Sequence, residues 1–271
     1  MVQSDGCPAG MTQIFAEPSQ LVQTPDGRTL IRVEGEEYHH LTRVLRLKPG
    51  EEFSVRLKDD GSEYRFGVIE IQDTVLMGEL RFIKKEASEL PAKIWLFQGL
   101  PKADKMELIV QKSVELGAAV IVPVAMKRSI VRLDAKKAES KRARWAGIAA
   151  SAAGQSRRGI QPEVLTPVSF REALALMDRE GIGTRLLPYE LADASWAETR
   201  QIFDGLGEET VAQSERQIAV WIGPEGGFDT EEIRLAREAG CACFTMGPRI
   251  LRTETAGFTI LAWLNYVLQG L

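Results

Sequence analysis

Ile222-Gly-Pro-Glu-Gly-Gly-Phe228 and Met246-Gly-Pro-Arg-Ile-Leu-Arg-Thr-Glu-Thr-Ala256 are the two stretches whose reading decides how this chain is organised. Each follows a run of buried-strand character, and each opens into a helix-like segment. Glycine lets a backbone take positive φ and approach a ligand closely, while Pro224 and Pro248 stiffen the same turns. Either stretch alone reads as an ordinary strand–turn–helix connection. Two of them near the C-terminus, the second carrying two arginines and a glutamate, read as a binding site.

Working outward, strands and helices alternate. Lys93–Gln98, Ala118–Val124, Arg185–Pro188, Gln217–Ile222 and Ala242–Met246 have strand character. Between and after them lie helical patterns at Lys105–Leu116, Glu139–Gly154, Phe170–Glu180, Trp196–Phe203, Thr230–Ala239 and Thr253–Leu268. Asp104 with Glu107 forms a helix-start signal and Gly117 a stop. Such alternation predicts an α/β domain with a mostly parallel sheet. Ligands of these sheets bind beyond the carboxyl ends of the strands, where both glycine-containing turns lie.

The N-terminal part follows a different period. Leu30–Val33, Glu52–Leu57, Glu63–Ile71 and Val75–Ile83 alternate or are rich in β-branched residues, with a turn at Asp59-Asp-Gly61. One helix, Glu36–Leu47, interrupts them, with Tyr38, Leu41, Val44 and Leu45 on one face and Pro49-Gly50 as its terminator. A small β-barrel-like module with an inserted helix is expected. The divisions read as an extension at 1–10, the module at 11–84, a linker at 85–91 and the α/β domain at 92–271.

With 271 residues, 44% hydrophobic and 27% charged, the chain buries a proper core. Its three cysteines and two adjacent histidines, His39 and His40, offer no zinc-ligand spacing. Cys241 and Cys243 read as core filling, and the expectation is a reduced, cytosolic protein with no metal. No apolar stretch approaches the ~18 residues of a membrane span. The net charge of −4 hides an asymmetry: 13 Lys/Arg against 5 Asp/Glu over 101–160, then 7 against 16 over 161–240. A basic segment of this kind grips a polyanion locally. Lys136 to Arg144 read as a solvated helix face, whereas Lys102, Lys105, Arg157 and Arg158 sit near glycines or element ends. No Walker loop, dinucleotide fingerprint or G-x-S-x-G elbow is present. The carboxylate in GPEGGF suits a cationic ligand better than a triphosphate.

The two motifs resemble the cofactor-binding motifs of the SPOUT methyltransferases, and within these the ribosomal RNA small subunit methyltransferase E family. The resemblance extends to His39–Leu47, Leu100–Gly117, Lys127-Arg-Ser-Ile-Val131 and Ala152–Arg158. It implies a PUA-like RNA-binding domain, a C-terminal α/β domain with a trefoil knot, a homodimer, and S-adenosylmethionine as methyl donor. The implied reaction is methylation of N3 of a uridine in small-subunit ribosomal RNA, naked or within the assembled subunit. One departure is visible: Met11-Thr-Gln-Ile-Phe15 lacks the basic residues that members carry before the first strand.

The resemblance assigns the cofactor to Ile222, Gly223, Glu225, Gly226 and Gly227 from the first motif. From the second come Met246, Gly247, Ile250, Leu251 and Arg252, joined by Pro188 and Glu190 from an earlier strand end. Uridine N3 must lose its proton, so a base takes it or cations stabilise the developing uridinate. Arg252 is the first candidate for the latter and Arg249 the second. Glu225 and Glu254 either accept the proton or hold backbone amides. RNA contacts are expected at Arg43, Arg46, Lys102, Lys105, Arg128, Gln155, Arg157 and Arg158. The rival readings are a binding-only protein and a methyltransferase acting on the ribose 2′-hydroxyl.

Overall fold

Residues 12–57, 62–85, 89–208 and 216–269 are described by a computed structural model of the chain. The extension at 1–10, the Asp59–Gly61 turn and 86–88 of the expected linker lie outside the described residues. Two compact units emerge: residues 1–88 with 153–161, and residues 89–152 with 162–271. The return of 153–161 to the first unit was not part of the sequence expectation.

The first unit contains β1 (Gln13–Ala16), a 3-10 turn (Pro18–Gln20), β2 (Leu21–Gln23) and β3 (Thr29–Val33). Then come α1 (Gly35–His39), a π turn (His40–Val44), β4 (Glu52–Leu57), β5 (Ser62–Ile71) and β6 (Leu76–Lys85). The sheet order is β1-β4-β5-β6-β3-β2, antiparallel except for the β1–β4 pair. Period-2 alternation puts Ile31, Val33, Phe53, Val55, Phe66 and Val68 into one core, with Phe53 and Phe66 stacked at 6.0 Å. The inserted helix is shorter than its apolar pattern predicts. After His39 the ladder widens, with the Leu45 amide donating to the His40 carbonyl. That extra residue per turn rotates Val44 and Leu45 off the buried face, so only Tyr38 and Leu41 reach the core while Val44 is 68% exposed. The β6 strand runs on through Lys85, into the stretch expected as linker.

The second unit adds β7 (Lys93–Gly99), α2 (Lys105–Glu115), β8 (Ala118–Ala125), α3 (Ala135–Gln155), β9 (Glu163–Val164), β10 (Val168–Ser169) and α4 (Phe170–Arg179). It continues with β11 (Thr184–Pro188), α5 (Trp196–Glu208), β12 (Gln217–Ile222), α6 (Thr230–Glu238), β13 (Ala242–Phe244) and α7 (Thr253–Gln269). The sheet is parallel throughout, in the order β10-β8-β7-β12-β11-β13, with β9 also on β8. Burial on both faces explains the unbroken apolar runs of β7, β8 and β12. Pro123 sits inside β8, where it removes a donor. The strand beside it is broken there: β9 pairs as far as Ile121 and β10 begins at Val124.

Gly117 ends α2 at φ +93°, as its position predicts. Asp104 does not cap that helix through its side chain; Glu107 binds Arg144 instead, at 2.8 Å. Ser169 and Asp229 form full capping boxes at α4 and α6. Cys241 is buried just before β13, where desolvation pushes its thiol up to about 12, and Cys243 is half-buried. Among the described residues no cluster of ligating side chains is grouped to hold a metal, and no helix is long and apolar enough to cross a membrane.

Candidate active site

Three parallel strands end side by side, and the chain turns sharply after each. After β12, the Gly227 amide donates to the Pro224 carbonyl at 2.8 Å, closing the Pro224-Glu-Gly-Gly227 turn. Gly227 stands at φ +66°, where a side chain would be strained, and a Cβ there would lie 3.6 Å from Glu190 Oε1. After β13, Gly247 takes φ +93° and donates to Thr245 Oγ1 at 3.2 Å. After β11, the Tyr189 amide donates to the Phe244 carbonyl at 2.9 Å, fixing the third loop against the second.

These loops enclose a cavity of about 400 Å³. The β11 loop lines it with Pro188, Tyr189 and Glu190, and the β12 loop with Ile222, Gly223, Pro224, Glu225, Gly227 and Phe228. Met246, Gly247, Pro248, Arg249, Ile250, Leu251 and Arg252 line it from the β13 loop, continued by Thr253 and Ala256 of α7. Eleven of the twelve residues assigned to the cofactor from sequence therefore come together, as does Arg249. Gly226 does not. Its Cα side faces Arg128, where a Cβ would sit 3.0 Å from Arg128 Cβ, and its carbonyl accepts from the Arg128 guanidinium at 3.0 Å.

Behind the cavity a hydrogen-bond relay ties the loops to the sheet. Gln98, fully buried at the end of β7, donates to Thr253 Oγ1 at 2.9 Å, and Thr253 donates to the Gly223 carbonyl at 2.6 Å. The sequence reading missed this pair. A polar residue closing the apolar run KIWLFQ was the available signal.

At the mouth, Lys105 lies 3.3 Å from Glu225 and 3.3 Å from Glu254. Glu225 also accepts from the Lys102 amide, at 3.1 Å. Partial burial pushes the Glu225 carboxyl up, but the amides of Glu225 and Lys102 and the Lys105 ammonium outweigh it, holding the group below the usual carboxylate range. An anion so stabilised is a weak proton acceptor, so of the two roles open to Glu225 the geometry supports holding backbone amides.

The expected RNA contacts separate into groups. Lys102, Arg43, Arg46, Arg157 and Gln155 are exposed. Lys105 is half-buried and paired in the cavity, because both carboxylates flank the first turn of α2. Arg158 is only 4% exposed, and its carbonyl accepts from the Gln13 side chain at 2.7 Å. The chain folds back at this point to join the first unit, which takes the side chain out of solvent. Arg128 is exposed but reaches across Gly226 and lies 3.9 Å from Asp229.

Comparison with known proteins fits this arrangement. An RNA methyltransferase domain matches residues 88–265, and an RNA methyltransferase PUA domain matches residues 33–74. A ribosomal RNA small subunit methyltransferase E from Bacillus subtilis is 35% identical over 235 residues, covering 86% of this chain and 89% of that protein. The chain belongs to the ribosomal RNA small subunit methyltransferase E family. A crystal structure of a family member from Neisseria gonorrhoeae, bound to S-adenosyl methionine, superimposes with a TM-score of 0.77 at 30% identity, covering 95% of this chain and 98% of that one. A methyltransferase structure from Legionella pneumophila, also with the bound cofactor, gives a TM-score of 0.78 at 28% identity over 94% of this chain and 97% of that one. The methyltransferase match spans the mixed α/β unit together with the 153–161 return, and the PUA match lies within the β-rich N-terminal unit.

Proposed function

We propose that this protein transfers a methyl group from S-adenosylmethionine to N3 of a uridine in small-subunit ribosomal RNA, acting in the cytoplasm as a homodimer with a knotted C-terminal domain. Family membership supports the donor and the ribosomal substrate; uridine N3, the homodimer and the knot rest on the motif resemblance. The observation that carries the reading is the cavity built from backbone turns at three adjacent strand ends. Its lining fits the donor: Gly223, Gly227 and Gly247 let main chain form the walls, and Glu190 supplies negative charge suited to a cation.

The donor, when bound, supplies an electrophilic methyl group on a sulfonium. The loops supply orientation, an effect amounting to ~7–11 kcal/mol where alignment is near ideal. Arg252, exposed on the cavity rim, stabilises negative charge developing on the pyrimidine as the N3 proton leaves; Arg249 beside it is the second cation. N3 lies on the pairing edge, so the base is presented unpaired or flipped. Exposed Lys102, Arg157, Arg43 and Arg46 neutralise phosphates, with Gln155 contributing to the RNA contact. Phosphate contacts orient without specifying sequence. RNA affinity is therefore expected to fall steeply with salt, and Lys102→Ala to reduce the slope of log affinity against log salt by about 1.

Purified protein, tritiated donor and unmethylated small subunits test the proposal. Label is expected in the RNA, and nuclease digestion with mass spectrometry is expected to place it on 3-methyluridine. A 2′-O-methylated nucleoside would move the reaction to the ribose, and absence of label would leave a binding protein.

A further inference from the structure

The β7–α2 connection is laced to the β12 loop at three points. Gly99 packs so close that a Cβ there would lie 2.6 Å from Pro224. The Lys102 amide donates to both carboxylate oxygens of Glu225, at 3.1 and 3.3 Å. Lys105 Nζ then bridges Glu225 and Glu254, 3.3 Å from each. Between the two lysines Ala103 is held at φ +52°, a left-handed conformation that alanine adopts only when its surroundings impose it. In this fastened form the connection carries the left-handed Ala103 and holds Lys102 by its amide; loss of the Glu225 contact would free Ala103 to relax to the right-handed region. The Lys102 side chain is exposed, while Glu225 lines the cavity.

We propose that Glu225 is a positioning residue that couples the donor site to RNA binding. A ligand in the cavity fixes the carboxylate, the carboxylate fastens the 102–105 connection, and the connection holds Lys102 where RNA phosphates meet it. Linkage makes the effect reciprocal, so bound RNA tightens the donor site by the same factor. This rests on the methyl-transfer reading and adds to it a cooperative order between its two substrates. The strain at Ala103 supplies the bistable element that such coupling needs.

The test measures binding of unmethylated small ribosomal subunits with and without S-adenosylhomocysteine, and of S-adenosylhomocysteine alone by calorimetry. In the wild type the nucleoside is expected to tighten subunit binding about fivefold or more. Glu225→Gln is expected to weaken subunit binding and bring that ratio close to one. Ala103→Gly removes the left-handed penalty and favours the fastened state from the outset. It is expected to tighten subunit binding without the nucleoside, and also to bring the ratio close to one. A purely structural role for Glu225 would lower affinities and leave the ratio unchanged, which overturns the proposal. So does a wild-type ratio of one when both ligands bind. If Glu225→Gln does not fold, Ala103→Gly decides, and an unchanged ratio there is equally fatal. A wild type that binds neither ligand overturns the proposed function itself, a separate outcome.

Discussion

Gly227 and Arg252 stand for the two kinds of residue in the proposed site, one assigned a role through its backbone and the other through its charge. At Gly227 the backbone is left-handed and the missing Cβ faces Glu190. Gly227→Val places a β-branched residue at a conformation costing roughly 1–2 kcal/mol, and adds methyl groups in the cavity wall. Donor affinity is expected to fall about tenfold or more, read by calorimetry. Arg252 belongs to the exposed rim. Arg252→Ala is expected to lower turnover by roughly 10²–10³, the range for loss of one preorganised partner of a developing anion, with RNA affinity little changed. Full turnover in that variant would remove the arginine from the chemistry. The motifs made both residues legible. They did not show that Lys105 occupies the cavity or that Arg158 is buried, because both facts depend on segments distant in sequence.

Among the elements, α6 shows most clearly how local signals and tertiary partners combine. Asp229 caps it by accepting from the Glu231 amide at 3.2 Å, and Lys127 lies 2.9 Å from the same carboxylate. The Lys127 side chain, followed by the Glu231 amide, holds the Asp229 carboxyl below its ordinary 3.8. A depressed folded value means the stabilisation is present above the unfolded value and is lost as pH falls through the folded one. Asn caps as well as Asp, so Asp229→Asn removes charge while keeping the cap. The variant is expected to melt below the wild type at neutral pH, with the two melting curves converging as the pH is taken below 3.8. The cap was written in Asp229-Thr-Glu-Glu232; the lysine, some hundred positions earlier, was not. In α1 the reverse occurred. A helical stripe from Tyr38 to Leu45 was expected, yet a π turn at His40–Val44 leaves only Tyr38 and Leu41 of it buried, and period alone does not register the extra residue.

For the molecule as a whole, the chain's return at 153–161 decides what counts as the N-terminal unit. Gln13 donates to the Arg158 carbonyl at 2.7 Å, and Gly154 packs where a Cβ would lie 3.3 Å from the Gln13 carbonyl. A fragment ending at Ser88 leaves β1 without these partners. It is expected to melt at a lower temperature than the same unit in the full chain, followed by circular dichroism or by exchange protection of β1. Sequence alone determined the class of each half, because strand and helix periods are properties of neighbouring residues. It determined both glycine-bearing turns too, since positive φ restricts residue choice locally. Only the tertiary structure decided which strands lie side by side, that Gln98 and Thr253 brace the loop after β12, and that Glu225 engages Lys102 and Lys105 with its carboxylate. The Gln98–Thr253, Lys102–Glu225 and Lys105–Glu225 pairings join residues more than a hundred positions apart, and hydrogen bonds and ion pairs act on distance in space, which local sequence does not encode.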